Sequence, residues 1–131
     1  MIDDYFRELA NTLNDSRIVR AHQVTYDKRE PKSGYVRGNV YFADGSLLHF
    51  REFVNTERRI ERISYAYHYQ KANGTFVFRY DDSEHFPALP NFPHHKHIGN
   101  ESNATPASPP DLATVLHEIG MLIGIEETSG S

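Results

Sequence analysis

Between Arg79 and His97 the chain gathers an arginine, a lysine, three acidic residues at Asp81, Asp82 and Glu84, and four of its eight histidines. Imidazoles serve as general base and acid near neutral pH, and arginine or lysine holds the charge that builds on phosphoryl oxygens. The pattern points to phosphodiester cleavage without a metal. Candidate catalytic residues are His68, Arg79, Asp81, His94, His95 and His97, with Lys96, His85 and Tyr80 as candidate substrate contacts. Each has a plainer alternative. His68 and Arg79 also fit a structural cross-strand pair, and the later histidines also fit hydrogen bonds that anchor a loop. A histidine metal site is a further alternative, but adjacent residues of an extended segment point to opposite sides. His95 and His97 can therefore share a face that excludes His94, and no metal or cofactor is assigned. The chain has no phosphate-binding glycine loop, nucleophile elbow or zincin motif.

An α+β fold must position these groups: an antiparallel sheet of about five strands built from two hairpins, flanked by an N-terminal and a C-terminal helix. The apolar spacing of Ile2, Tyr5, Phe6, Leu9 and Leu13 predicts a helix over 3–13, and the sheet is expected over 18–81. Ala43-Asp44-Gly45 suits a three-residue hairpin loop, which sets Val40 opposite Leu48, Gly38 opposite Phe50 and Glu52 opposite Val36. Glu52 then lies on an apolar face, where a carboxylate needs a partner or serves as an acid or base. Asn73-Gly74 predicts a two-residue turn that sets Tyr69 against Phe78, Tyr67 against Tyr80 and His68 against Arg79. One face becomes aromatic core, with Tyr65, Tyr67 and Tyr69 as core residues rather than a stacking platform. The other collects Ser64, His68, Arg79 and Asp81.

Residues 82–110 hold six of the seven prolines and show no period, which predicts a Pro/His-rich loop anchored by Phe86, Leu89, Phe92 and Ile98 and mobile beyond Asn100. Ser108-Pro109-Pro110-Asp111 then predicts a capped helix over 109–123. A chain of 131 residues with 38% hydrophobic content supports a single domain, 1–131. The absence of cysteine excludes disulfides, thiolate metal sites and a cysteine nucleophile. An acidic start and the lack of an apolar run of roughly 18 residues predict a cytoplasmic location with no membrane partner. The net charge of −4 argues against a broad basic surface, though not a local one, and Arg58, Arg59 and Arg62 read as a solvated run.

A resemblance rests on Tyr5-Phe6, on Gly34-Tyr35-Val36-Arg37-Gly38 leading to Tyr41-Phe42-Ala43-Asp44-Gly45-Ser46, and on Tyr65-Ala66-Tyr67-His68-Tyr69. Above all it rests on Phe78-Arg79-Tyr80-Asp81 followed by Phe92-Pro93-His94-His95-Lys96-His97. From about Tyr5 to Ile119 the chain resembles the TumE family, described as toxins of prokaryotic type II toxin-antitoxin systems. It departs at His85-Phe86-Pro87, where related sequences tend to carry a second histidine. The resemblance implies a toxin with a cognate antitoxin protein as partner. The resemblance assigns no mechanism; the histidine, arginine and lysine cluster makes RNA the expected substrate, self-association as a homodimer stays open, and a non-enzymatic protein- or nucleic-acid-binding module is the alternative.

Overall fold

The computed structural model describes residues 1–82 and 93–130, with the side chains of the last helix as far as Gly124. Helix α1 (Ile2–Asp15) is followed by β1 (Val19–Glu30), β2 (Ser33–Phe42), β3 (Leu47–Asn55), β4 (Glu61–Gln70), β5 (Phe76–Asp81), β6 (His95–Ile98), β7 (Ala104–Pro106) and α2 (Leu112–Gly130). The strands form one antiparallel sheet in chain order, so every strand pairs with its sequence neighbours. The predicted fold class holds, with seven strands among the described residues in place of about five.

Both helices contribute to one core against one face of the sheet. Ile2, Tyr5, Leu9 and Leu13 of α1 and Leu112, Val115, Leu116, Ile119 and Ile123 of α2 are buried with Val36, Val40, Leu48, Phe50, Tyr65, Tyr67, Tyr69 and Phe78. The three tyrosines are therefore core residues. Asp3 and Asp4 sit in the first turn of α1, where negative charge complements the helix dipole, and Asp3 also pairs with Lys28 of β1 at 3.0 Å.

The first hairpin has the expected register: Val40 opposite Leu48, Gly38 opposite Phe50, Val36 opposite Glu52. Gly45 takes a φ of 83°, which a three-residue loop of this kind requires. Glu52, 1% exposed, finds its partners in the hydroxyls of Tyr5 and Tyr67, which both donate to its carboxylate. Arg62 joins them: its Nη1 donates to the Tyr67 hydroxyl at 2.9 Å and to the Pro110 carbonyl. It is thus not part of a solvated run. A guanidinium near a buried carboxylate, bridged to it by the Tyr67 phenol, offsets the cost of removing that charge from water.

The second hairpin departs from the expected two-residue turn. The Lys71 N–H donates to the Thr75 carbonyl and the Gly74 N–H to the Lys71 carbonyl, so the loop is Ala72-Asn73-Gly74 with Gly74 at φ 88°. A bulge follows, because Gln70 faces Phe76 while Tyr69 faces Phe78.

The largest correction concerns 82–110, which is not one irregular loop. β6 pairs with β5 and β7 pairs with β6. Four residues of alternation among prolines give almost no local signal; β6 forms because the edge of β5 offers it hydrogen bonds. The helix start also moves. The Asp111 carboxylate accepts the Thr114 N–H at 2.8 Å and caps α2, in place of Ser108, and the helix runs on to Gly130. His85, Phe86, Leu89 and Phe92 lie outside the described residues. Among the described residues, no helix is long and apolar enough to cross a membrane.

Candidate functional site

The face of the sheet turned away from the helices carries two parallel rows of polar side chains. Strand register sets one row as Gln23, Asn39, His49, His68, Arg79 and His97 from β1 through β6. Two residues along each strand, and so on the same face, a second row reads Thr25, Arg37, Arg51, Ala66, Asp81 and His95. Ala66 is the one small side chain near the middle. A groove of about 700 Å³ opens there, lined by members of both rows from Gln23 and Thr25 to Arg79 and Asp81.

The groove is cationic. Arg37 and Arg51 are exposed, directly opposite one another, and among the described residues neither has a carboxylate within ion-pair reach. Like charges set opposite across strands destabilise a sheet, so this pair serves something other than the fold. His49 and His68 lie side by side with ring centroids 6.1 Å apart, edge to face. The His49 Nδ1–H donates to Asn39 Oδ1 at 2.5 Å, which directs Nε2 away from Asn39. His68 is held below the ordinary imidazole range, first by burial and then by the charges of Arg79 and His49. It is therefore neutral at pH 7 and able to accept a proton.

At the β5–β6 end the groups are buried and interlocked. Asp81, His95 and His97 are 4%, 2% and 2% exposed. Arg79 Nε donates to Asp81 Oδ2 at 2.8 Å, and its Nη1 holds Glu101 at 2.6 Å. His95 Nε2 lies 2.6 Å from Asp81 Oδ1 and His97 Nε2 lies 3.5 Å from Oδ2. Each imidazole donates its Nδ1–H to a backbone carbonyl, His95 to Pro93 at 2.8 Å and His97 to Glu101 at 2.7 Å. Burial, with Arg79 nearby, also lowers the His97 pKa, although its bond to the Glu101 carbonyl works the other way.

The structure brings together His68, Arg79, Asp81, His95 and His97, and it separates the rest. Lys96 and Tyr80 project from the helix-covered face, where both bind Glu118 of α2 at 2.5 and 2.6 Å. They follow the strand alternation, which inverts them relative to His95 and Arg79. His94 Nδ1 meets the Tyr65 hydroxyl at 2.9 Å, away from the groove. Glu52 lies in the core. His85 is outside the described residues. Sequence reasoning passed over Arg37, Asn39, His49 and Arg51, although the signal was available: the register that pairs Val40 with Leu48 also pairs Asn39 with His49 and Arg37 with Arg51.

Comparison with known families adds one finding, a match of residues 9–124 to the family model described as Toxin TumE. The chain belongs to the TumE family. Membership supports a toxin role, and the matched span takes in every strand and the groove. No match was found to a curated protein or to a solved structure.

Proposed function

We propose that this TumE family member acts as a toxin by cleaving RNA, with the strand lying along the arginine-rich groove. The carrying observation is the adjacency of His49 and His68 between Arg51 and Arg79, within one open groove. Neutral His68 takes the proton of a ribose 2′-hydroxyl as its oxygen attacks phosphorus. His49 gives a proton to the departing 5′-oxygen, leaving a 2′,3′-cyclic phosphate and a free 5′-hydroxyl. Arg37, Arg51 and Arg79 hold the phosphates and the charge that grows on the reacting one. The need for a 2′-hydroxyl makes RNA rather than DNA the substrate.

In this reading Asp81, His95 and His97 are positioning residues: all three are buried, Asp81 and His97 contact Arg79, and His95 lies against Asp81. Lys96, Tyr80 and His94 take no part. A cognate antitoxin protein is the partner that a toxin role implies. The test is incubation of purified protein with RNA in the presence and absence of chelator. Cleavage that persists with chelator and is lost in folded His68→Ala and His49→Ala proteins is expected. Intact RNA under both conditions removes the proposal and favours a binding module that acts through the same groove.

A further inference from the structure

We propose that Asp81, His95 and His97 form a binding site for a divalent first-row transition metal, zinc being the best match. The inference stands independently of RNA cleavage. Both imidazoles are fixed by the same device, an Nδ1–H bonded to a backbone carbonyl, which sets the tautomer and leaves Nε2 as the ligand atom. Both Nε2 atoms face one carboxylate, and the three donor atoms lie within 4.8 Å of one another. Tetrahedral zinc with bonds of about 2.0–2.1 Å spaces its ligand atoms roughly 3.3 Å apart. His95 Nε2 lies 2.6 Å from Asp81 Oδ1 and His97 Nε2 lies 3.5 Å from Oδ2, so an ion held by Oδ1 must part that oxygen slightly from the His95 nitrogen.

The sheet supplies this geometry. Asp81 on β5 is directly opposite His95 on β6, and His97 follows two residues on, on the same face. Two imidazoles and one carboxylate select zinc or its neighbours over calcium and magnesium, which take all-oxygen sites. Three ligands from the described residues leave a fourth position to be filled.

Arg79 gives the site a distinctive property. Its Nε binds Asp81 Oδ2, the usual place for an outer partner of a ligating carboxylate, and leaves Oδ1 to the metal. Its Nη2, however, lies 3.4 Å from His97 Nε2 and competes for the lone pair that a metal would use. Metal uptake therefore requires that end of the guanidinium to turn aside, toward Glu101, which already holds Nη1.

Protein stripped with chelator and dialysed is titrated with zinc at pH 7.5 by calorimetry, with stoichiometry read by native mass spectrometry. One zinc per chain is expected, and cobalt(II) in its place should give the visible absorption of a four-coordinate site. Folded His97→Ala and His95→Ala proteins should bind at least about tenfold more weakly. No stoichiometric metal in the wild-type protein overturns the proposal whatever the variants do. So does zinc retained by both histidine variants but lost in His49→Ala, which would move the ion to the groove. Cleavage of RNA in chelator is scored separately, so either idea can fail without the other.

Discussion

Arg37 and Arg51 offer a perturbation whose effects on stability and binding have opposite signs. Directly opposed side chains in an antiparallel pair have Cβ atoms about 4.5–5.5 Å apart, and like charges there cost a few tenths of a kcal/mol, up to about 1. Both are solvent-exposed, which places the repulsion near the low end, about 0.3 kcal/mol. Arg37→Gln removes it. The opposing loss is the contact with the Tyr35 ring, but at 6.0 Å that lies at the limit of a cation–π interaction and is the smaller quantity. The variant should melt about 1 °C higher at low salt. The gain should vanish near 1 M salt, where the screening length falls to about 3 Å. RNA binding should weaken at the same time. If Arg37 neutralises one phosphate of a single strand, the slope of log affinity against log salt shrinks by about 0.7. Fluorescence anisotropy with a labelled single-stranded RNA at four salt concentrations measures it. An unchanged slope together with a lower melting temperature would refute the argument, since Arg37 would then be serving the fold.

Three further outcomes follow from the same structure. Glu52→Leu leaves the Tyr5 and Tyr67 hydroxyls buried without their acceptor; at about 1–3 kcal/mol each, less the apolar gain, urea denaturation should show a loss of about 2–4 kcal/mol. Glu52→Gln, which keeps one acceptor, should lose less. Asp111→Ala should cost about 1 kcal/mol by removing the α2 cap. Burial opposes ionisation of Asp111, yet the bonds from Thr114 outweigh it and hold the carboxyl below the usual range. Its contribution is thus present above about pH 3.9 and fades as pH falls through the lower folded value, where wild type and variant should converge. Finally, the acid limb of kcat/KM for RNA cleavage should lie below about pH 6.5, because His68 must be neutral. Replacing Arg79 with Met removes one cause of that depression and should move the limb to higher pH; a limb that stays put separates His68 from the reaction.

Much of the architecture was legible because hairpin loops count. Gly45 at the end of a three-residue loop sets every pair from Tyr41 and Leu47 down to Ser33 and Asn55. The same counting would have exposed the arginine pair had it been continued along the polar face. What local pattern could not show was β6, since His95–Ile98 has only four residues and depends on an edge that β5 provides from more than ten residues away. Without that strand, Lys96 is indistinguishable from its histidine neighbours. With it, alternation sends Lys96 to Glu118 and the imidazoles to Asp81.

The second hairpin shows why a wrong local detail can leave a site intact. The loop holds one residue more than a two-residue turn, which by itself would slip β5 by one position against β4. A one-residue slip carries every side chain of a strand to the opposite face. Arg79 and Asp81 would then enter the core, and Phe78 and Tyr80 would meet water. The bulge between Tyr69 and Gln70 takes up the extra residue, so Tyr69 again faces Phe78 and His68 faces Arg79. The strong preference is for the aromatic face to stay buried, and the turn is the part that yields. The position of Arg79 beside His68 is thus fixed by Tyr67, Tyr69 and Phe78 on the far side of the sheet, more firmly than by the loop that joins the strands.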